Sequence, residues 1–268
     1  MKIVIPTLGR MDKQLTYNAL PDKYKKKVNF IVQAHEFEDM KSRYGDQVIG
    51  LPEHIKTFAP TREWLFNHFK DDRFFVFDDD LSFTIKEPNT GGDTKWKARP
   101  FIDSDFDEIF ELVESWMDDG ISHGCLQPTW VMPSLDNWPY GDNGKIMTNV
   151  FYDGPKIPRD IKWDRVPAAE DFDVNLQLLT KGYPNRISSK YMVSPLETNA
   201  AGGCSEWRTL EVHNNAQILL GEIWPDYVKV REKEVKSGPW KGEIKLATTI
   251  YHKKAFKDSQ TNSLEDFF

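Results

Sequence analysis

Cysteine is scarce in this chain of 268 residues, which holds only Cys125 and Cys204. The two lie far apart and form no C-x-x-C arrangement, so the sequence suggests neither a zinc site nor a disulfide framework. Long apolar runs are missing as well, and no segment approaches the roughly 20 residues that cross a membrane. The amino terminus enters a strand without a charged leader and long apolar core. We therefore expect an unexported, cytoplasmic protein with no membrane partner.

An excess of positive charge is also missing, because 42 acidic residues against 35 basic ones give a formal net charge of −7. This balance argues against wholesale coating of nucleic acid but allows a local basic surface. Three segments are candidates for such a surface, although each could simply be solvated: Lys25–Lys27, Lys95–Arg99 and the lysine-rich stretch Lys229–Lys245. Hydrophobic residues at 39% are typical of a globular protein, and the length suits one large domain with a small appendage.

The most informative stretch is an apolar strand that ends on three carboxylates. Residues 73–77 read as a central strand, Asp78, Asp79 and Asp80 follow, and residues 81–85 alternate like another strand. An acidic turn facing water is the alternative, but here the triplet interrupts a sheet. A hard divalent cation would compensate the carboxylates, and a metal held by two of them keeps positions open for phosphate oxygens.

Strands and helices alternate before this triplet. The sequence predicts strands at residues 2–6, 28–34 and 47–52, a helix-like segment at 35–44 and a helix at 61–69. The alternation predicts an α/β fold with a mixed, mainly parallel sheet flanked by helices. Because ligands bind outside the carboxyl ends of such strands, the loop Thr7-Leu8-Gly9-Arg10 and the acidic triplet are expected at one edge.

A second acidic cluster comes directly before a predicted helix at residues 174–181. It contains Glu170, Asp171 and Asp173, and a glycine followed by a proline ends the helix. Acidic side chains at a helix amino terminus are favoured by the helix dipole, so capping alone could explain them. Their occurrence with the triplet in one α/β chain favours a functional site.

Weaker predictions cover the remaining segments. We expect a lid-like loop at 87–93, a helix at 106–117, strands at 124–131, 145–152 and 190–194, a helix at 210–220 and a frayed tail from 258.

The ordered set of segments resembles a GT-A fold glycosyltransferase. The residues that carry the resemblance are Ile3–Arg10, Asp78-Asp79-Asp80 and Glu170-Asp171, spread over roughly residues 1 to 225. Within that fold, the first loop, the Thr61-Arg62 helix start and the Glu170–Asp173 helix start resemble the phage and TET-associated glycosyltransferases of hydroxymethylated DNA bases. The resemblance implies a GT-A domain at 1–225 and a C-terminal extension at 226–268 that packs on it.

The resemblance also implies roles for individual residues. Asp78 and Asp80 match the D-x-D positions that contact ribose and bind Mn²⁺ or Mg²⁺, with Asp79 beside them and His213 as a possible third ligand; His123 is a weaker rival. Thr7 and Arg10 match the loop around uracil and ribose, and Arg62 is placed to reach phosphate. Glu170 and Asp171 match the acidic pair that faces sugar and acceptor. If the reaction inverts the anomeric centre, one carboxylate takes the acceptor proton; Asp171 is favoured, and Glu170 and Asp173 stay open.

The implied donor is a UDP-sugar and the implied acceptor a 5-hydroxymethylpyrimidine in DNA, which would place the protein in the host cytoplasm if a phage encodes it. Trp207, Arg208 and the lysine-rich stretch Lys229–Lys245 are candidate acceptor contacts. Two alternatives remain. A nucleotidyltransferase also uses paired carboxylates, but it usually has a longer glycine-rich first loop with a lysine. A carbohydrate- or nucleic-acid-binding module is suggested by nine tryptophans and Lys95-Trp96-Lys97.

Overall fold

The computed structural model describes residues 1–90, 95–195 and 208–265. Its strands are β1 (Lys2–Thr7), β2 (Val28–Val32), β3 (Val48–Gly50), β4 (Arg73–Phe77), β5 (Leu81–Pro88), β6 (Trp96–Pro100), β7 (His123–Pro128), β8 (Tyr140–Asp142), β9 (Asn149–Asp153), β10 (Asn185–Pro195), β11 (Val228–Glu234) and β12 (Ile244–Ile250). Its α-helices are α1 (Leu15–Ala19), α2 (Asp22–Lys25), α3 (Phe37–Tyr44), α4 (Phe58–Phe69), α5 (Asp103–Asp118), α6 (Glu170–Thr180), α7 (Leu210–Ile223) and α8 (His252–Glu265).

One large mixed sheet organises the chain, in the order β3-β2-β1-β4-β9-β7-β10-β5-β6, with β8 paired to β10. The neighbours β3, β2, β1 and β4 are parallel, which places their carboxyl ends at the same edge. Beyond β4 the sheet is mostly antiparallel, although β7 and β10 run parallel. The predicted α/β fold with a mixed sheet flanked by helices is confirmed.

The two faces of the sheet carry separate cores, as alternation along β1 requires. Ile3 and Ile5 pack with the helices α1, α3 and α5, whereas Val4 between them packs with α4 and α6. All three side chains are fully buried, at 1% exposure or less. The face that holds α4 and α6 is the one on which the site described below is built.

The acidic triplet interrupts the sheet where the sequence predicts it. Strand β4 spans the predicted residues, and the chain turns through Asp78–Asp80 directly into β5. The turn is fixed by Thr16, whose hydroxyl donates to the Asp78 carbonyl and accepts from the Leu81 amide at 2.9 Å. The first part of the loop 87–93 differs from the expected lid. Residues 87 and 88 continue β5, and residues 87–90 do not line the cavity described below. Residues 91–94 lie outside the described part.

The C-terminal part is more ordered than the sequence suggests. Strands β11 and β12 form a two-stranded antiparallel sheet against α7, and α8 packs on α6. A third core cluster joins these elements through Leu176, Leu220, Val228 and Ala255. The expectation of a frayed tail from residue 258 is wrong as far as Glu265, because α8 continues to that residue. The boundary at 225/226 stays a prediction.

Among the described residues, no helix has both the length and the apolar character needed to span a bilayer. Cys125 is a buried free thiol, and Cys204 lies outside the described residues.

Candidate functional site

A cavity of about 550 Å³ opens at the carboxyl ends of β1, β2 and β4. Helix α4, the first turn of α6, helix α7 and strand β12 supply its other walls. Nine of the residues that the sequence predicts for the site line the cavity: Thr7, Arg10, Arg62, Asp78, Asp79, Asp80, Glu170, Asp171 and His213. Parallel strands bring the first loop and the triplet together, and α6 delivers the second acidic cluster from the same face of the sheet.

Arg10 ties the first loop to the acidic triplet. Its Nη1 lies 2.7 Å from Asp79 Oδ1 and 2.7 Å from Asp80 Oδ2. The Thr7 hydroxyl donates to the other Asp79 oxygen and accepts from Gln14 Nε2 at 2.9 Å. Asp79 is only 5% exposed, and its burial raises the pKa of this carboxyl against the opposing hydrogen bonds. Both Asp79 oxygens are therefore occupied within the protein, and Asp79 fixes Thr7 and Arg10.

Asp78 faces the cavity more openly than its two neighbours. Its side chain keeps 31% exposure, and its ion pair with Arg62 Nη2 is 3.2 Å long. Burial raises the pKa of the Asp78 carboxyl, the charges of Asp80 and Asp79 raise it further, and Arg62 opposes the change. Arg62 is held over the Phe58 ring, with its guanidinium carbon 4.5 Å from the ring centroid. Asp78 is thus the member of the triplet with the least compensated charge.

Helix α6 begins at Glu170, so the second acidic cluster occupies its first turn, earlier than the sequence predicts. Glu170 is 4% exposed, and its pKa is raised by burial and then by the charge of Asp171. Burial also raises the pKa of Asp171, but Lys145, Arg208 and the Phe172 amide oppose this rise. The Phe172 amide donates to Asp171 Oδ1 at 2.9 Å. The groups around Asp171 therefore favour its carboxylate form more than those around Glu170 do. Of the two side chains, Glu170 is the one that keeps its proton to higher pH.

Asp173 has a structural role and is removed as a candidate base. It is 1% exposed and accepts hydrogen bonds from Arg165 Nε at 3.0 Å and Nη2 at 2.6 Å. Gln177 Nε2 and Trp224 Nε1 donate to the same carboxylate at 2.9 and 2.7 Å. These four donors leave the Asp173 carboxylate committed to joining α6 to α7.

Two cationic side chains, Lys145 and Arg208, lie near Asp171. The sequence did not identify Lys145 as a site residue. The Lys145 ammonium lies 4.5 Å from the centroid of the Phe172 ring, and burial lowers the pKa of Lys145 while Asp171 opposes the change. Arg208 donates from Nη2 to the Ala168 carbonyl at 3.1 Å, and its buried Nε has no partner among the described residues. Lys145 lies in the loop before β9, and no local sequence pattern identifies it as a residue of the site.

His213 lines the cavity but is held by the C-terminal strand. Its Nε2 lies 2.9 Å from the Leu246 carbonyl, and burial lowers its pKa. Within the described ranges, no group of three or more His, Cys, Asp and Glu side chains is arranged to hold a metal ion, so His213 does not complete such a group with Asp78 and Asp80. The rival His123 is buried between Ser122 and Asn175, away from the cavity lining. Trp207 lies outside the described residues.

Two carboxylates still fit a metal of the Mg²⁺ or Mn²⁺ kind. Asp78 and Asp80 offer hard oxygen ligands, and such ions commonly use one or two carboxylates together with substrate phosphates. The undercompensated charge of Asp78 favours a cation at that position.

Comparison with known proteins decides the class of the chain. Residues 1–203 match the family model of the TET-associated glycosyltransferases. The β-glucosyl-HMC-α-glucosyltransferases of Enterobacteria phages T6 and T2 are 26% and 25% identical to this chain over 250 residues, which are 91% of this chain and 88% of each relative. A solved structure assigned as a glucose-1-phosphate thymidylyltransferase from Bacillus anthracis, with a sucrose, is 14% identical and covers 70% of this chain and 85% of its own, with a TM-score of 0.38.

The match to the family model spans the first loop, the triplet and the start of α6, and it favours glycosyl transfer over both alternatives that the sequence left open. The chain therefore belongs to the TET-associated glycosyltransferase family and is a glycosyltransferase.

Proposed function

We propose that this glycosyltransferase moves a sugar from a UDP-sugar to a hydroxyl carried by a hydroxymethylated cytosine in DNA. The observation that carries the proposal is the meeting of the buried Glu170 and the half-buried Asp171 with the triplet and with Arg62, Lys145 and Arg208 in one cavity. The acceptor rests on the phage relatives, whose names specify a β-glucosyl-HMC acceptor and an α-glucosyl product. Either the base hydroxymethyl group or a sugar already attached to it would present the hydroxyl.

The nucleotide-sugar would lie along the carboxyl ends of β1 and β4. The backbone of the first loop is fixed by the Arg10 ion pairs, so it offers a preformed wall for the uracil and ribose. Arg62, Lys145 and Arg208 line the same cavity and are suited to bind diphosphate oxygens. Charged donors placed where negative charge develops on a leaving group are the usual source of such catalysis.

Asp78 and Asp80 would hold the Mn²⁺ or Mg²⁺ ion in this proposal. When bound, the ion would supply positive charge next to the diphosphate. Asp79 and Arg10 keep the Asp80 carboxylate in place through the shared guanidinium. His213 has no ligand role here, and it positions β12 through the Leu246 carbonyl.

Asp171 would accept the proton of the acceptor hydroxyl if the reaction inverts the anomeric centre. Its cationic neighbours favour the carboxylate form, which is the form that a general base needs. Glu170, with its raised pKa, would hold a proton beside it. The two carboxyl groups would thus have different protonation states, with Glu170 protonated and Asp171 ionised, as is typical of adjacent carboxyl groups in different surroundings.

The decisive experiment measures UDP release across a panel of UDP-sugars with three DNA duplexes, which carry cytosine, 5-hydroxymethylcytosine or its glucosylated form. Release is expected only with the modified duplexes and only with added Mn²⁺ or Mg²⁺. Equal release with plain DNA would refute the acceptor, and full activity in EDTA would refute the metal.

Asp80→Ala tests the ion-binding role directly. We expect loss of turnover and of Mn²⁺-dependent UDP binding, measured by calorimetry, because one of two oxygen ligands is removed. Asp71→Ala is the matched control, since Asp71 is exposed at the amino end of β4, where it pairs with Arg159 at 3.2 Å. Unchanged UDP binding in Asp80→Ala would show that Asp80 does not hold the ion.

A further inference from the structure

The β11–β12 hairpin carries its positively charged strand residues on one face. Paired residues of an antiparallel sheet point to the same side, and the pairs Lys229–Thr249, Arg231–Ala247 and Lys233–Lys245 alternate with Val230–Thr248 and Glu232–Leu246. One face therefore bears Lys229, Arg231, Lys233 and Lys245, which we call the basic face. The acidic residues of β11, Glu232 and Glu234, belong to the other face by register.

The other face packs on α7, which leaves the basic face turned away from the protein. Val230 approaches α7 so closely that a Cβ on Gly221 would lie 2.7 Å from its Cγ2. Its partner Thr248 donates to Gln217 Oε1 on the same helix at 2.9 Å. The β11 members of the basic face are exposed, and no ion pair with a carboxylate of the described residues holds them.

Strand β12 connects the hairpin to the cavity. Its residues Lys245–Thr248 line the cavity wall, so Lys245 of the basic face lies at the cavity. The three cations of β11 extend over roughly 13 Å, given about 3.3 Å per residue, which matches the rise of about four base pairs. Such a row of cations on a chain whose net charge is −7 concentrates positive potential beside the cavity mouth.

We infer that the basic face of the β11–β12 hairpin binds the phosphate backbone of the DNA whose modified base enters the cavity. This inference rests on the proposed function for its acceptor. Phosphate contacts set the position of a protein on DNA without reading its sequence, and such a surface suits an enzyme that must reach one modified base at many sites. Lys229, Arg231 and Lys233 would hold the backbone, while Lys245 would meet it at the cavity entrance.

The test compares two triple variants that change the net charge equally. Lys229→Gln/Arg231→Gln/Lys233→Gln removes the β11 cations and leaves every cavity-lining residue in place. Lys25→Gln/Lys26→Gln/Lys27→Gln is the control, because these residues precede the amino end of β2, at the edge of the sheet opposite the cavity. The probe is a fluorescent duplex with one 5-hydroxymethylcytosine, titrated at several salt concentrations.

For the β11 variant, we expect the plot of log affinity against log salt to become less steep by about three units of slope. Each lost phosphate contact removes about 0.9 from the magnitude of that slope. The Kd at physiological salt should rise at least about tenfold, and kcat/KM for the duplex should fall with it. Binding of UDP in the absence of DNA should stay unchanged, and the control variant should bind DNA like the wild type.

Equal slopes for the β11 variant and the wild type would overturn the inference. So would a variant that keeps DNA binding but loses binding to phosphatidylserine vesicles, since the basic face would then serve an anionic lipid surface. If the wild type releases no UDP with any donor and acceptor, the proposed function fails. The comparison of salt slopes would still decide whether the hairpin binds DNA.

Discussion

At the scale of single residues, side-chain partners determine what each carboxylate of the cavity can do. Asp79 and Asp173 are saturated by donors from the protein, whereas Asp78 and Asp171 keep polar atoms for a ligand. Their residue type is the same, so the sequence alone ranks them equally. The difference comes from Thr7, Arg165 and Trp224, which lie far from these carboxylates along the chain or on other elements.

If the reaction inverts the anomeric centre, Asp171→Asn is expected to lower kcat by about 10²- to 10⁴-fold, the usual contribution of a general base, while donor binding changes little. The amide keeps the size of the side chain and removes its ability to take a proton. Steady-state UDP release and calorimetric UDP binding separate the two effects.

Asp164→Asn is the control for this variant, because Asp164 is exposed, precedes α6 and is not among the residues that line the cavity. Glu170→Gln adds a second readout, since Glu170 already carries a proton at acidic pH and its neutral amide should leave the acidic limb of the rate profile in place. A kcat near that of the wild type in Asp171→Asn would remove Asp171 as the base.

At the scale of elements, the predictable parts are those whose apolar pattern follows their burial. Strand β4 has four apolar residues that are all buried, and the sequence predicts its bounds correctly. Strand β11 was missed because Val228 is its only buried residue, so no apolar alternation marks it. The part of helix α8 from residue 258 was expected to be frayed, since its stability comes from packing on α6 rather than from its own composition.

The hydrogen bonds of Asp173, which connect α6 to the end of α7, should contribute to the free energy of unfolding. Asp173→Asn should lower the free energy of unfolding by about 3 kcal/mol, because the amide removes the charge that pairs with Arg165 and replaces one of the two acceptor oxygens with an N–H donor. Urea denaturation followed by tryptophan fluorescence measures the change.

Asp160→Asn is the matched comparison, since it breaks an exposed ion pair with Lys181 at 2.7 Å and should leave the free energy of unfolding nearly unchanged. If Asp173→Asn instead kept full stability and lost turnover alone, Asp173 would return as a candidate base.

At the scale of the whole molecule, the site is assembled from segments far apart in sequence. The meeting of the first loop with the triplet was predictable, because parallel strands align their carboxyl ends. The cavity wall made by α7 and β12 could not be predicted from the sequence, because it depends on how the C-terminal hairpin packs on the rest of the protein. A consequence is that several carboxyls are buried together, and their burial is offset only in part by Arg62, Lys145 and Arg208.

This burial makes the stability of the molecule depend on pH. The pKa of Glu170 is raised in the folded state, so the folded protein binds its proton more tightly than the unfolded chain does. The stabilising effect of that proton is complete below the ordinary pKa of a glutamate, and it is lost as the pH rises towards the raised value. The free energy of unfolding should therefore decrease between about pH 4.5 and neutral pH through this group.

Glu170→Gln should remove part of that dependence and raise the melting temperature at pH 8, because a buried charge is replaced by a neutral amide of the same size. The gain should be on the order of 2 kcal/mol, since a tenfold change in proton affinity corresponds to about 1.4 kcal/mol. At pH 4.5 the two proteins should melt within a few degrees of each other. Melting curves at both pH values measure this, with Asp164→Asn as the control. A variant that is destabilised equally at both pH values would show that Glu170 is held by contacts to its charged form.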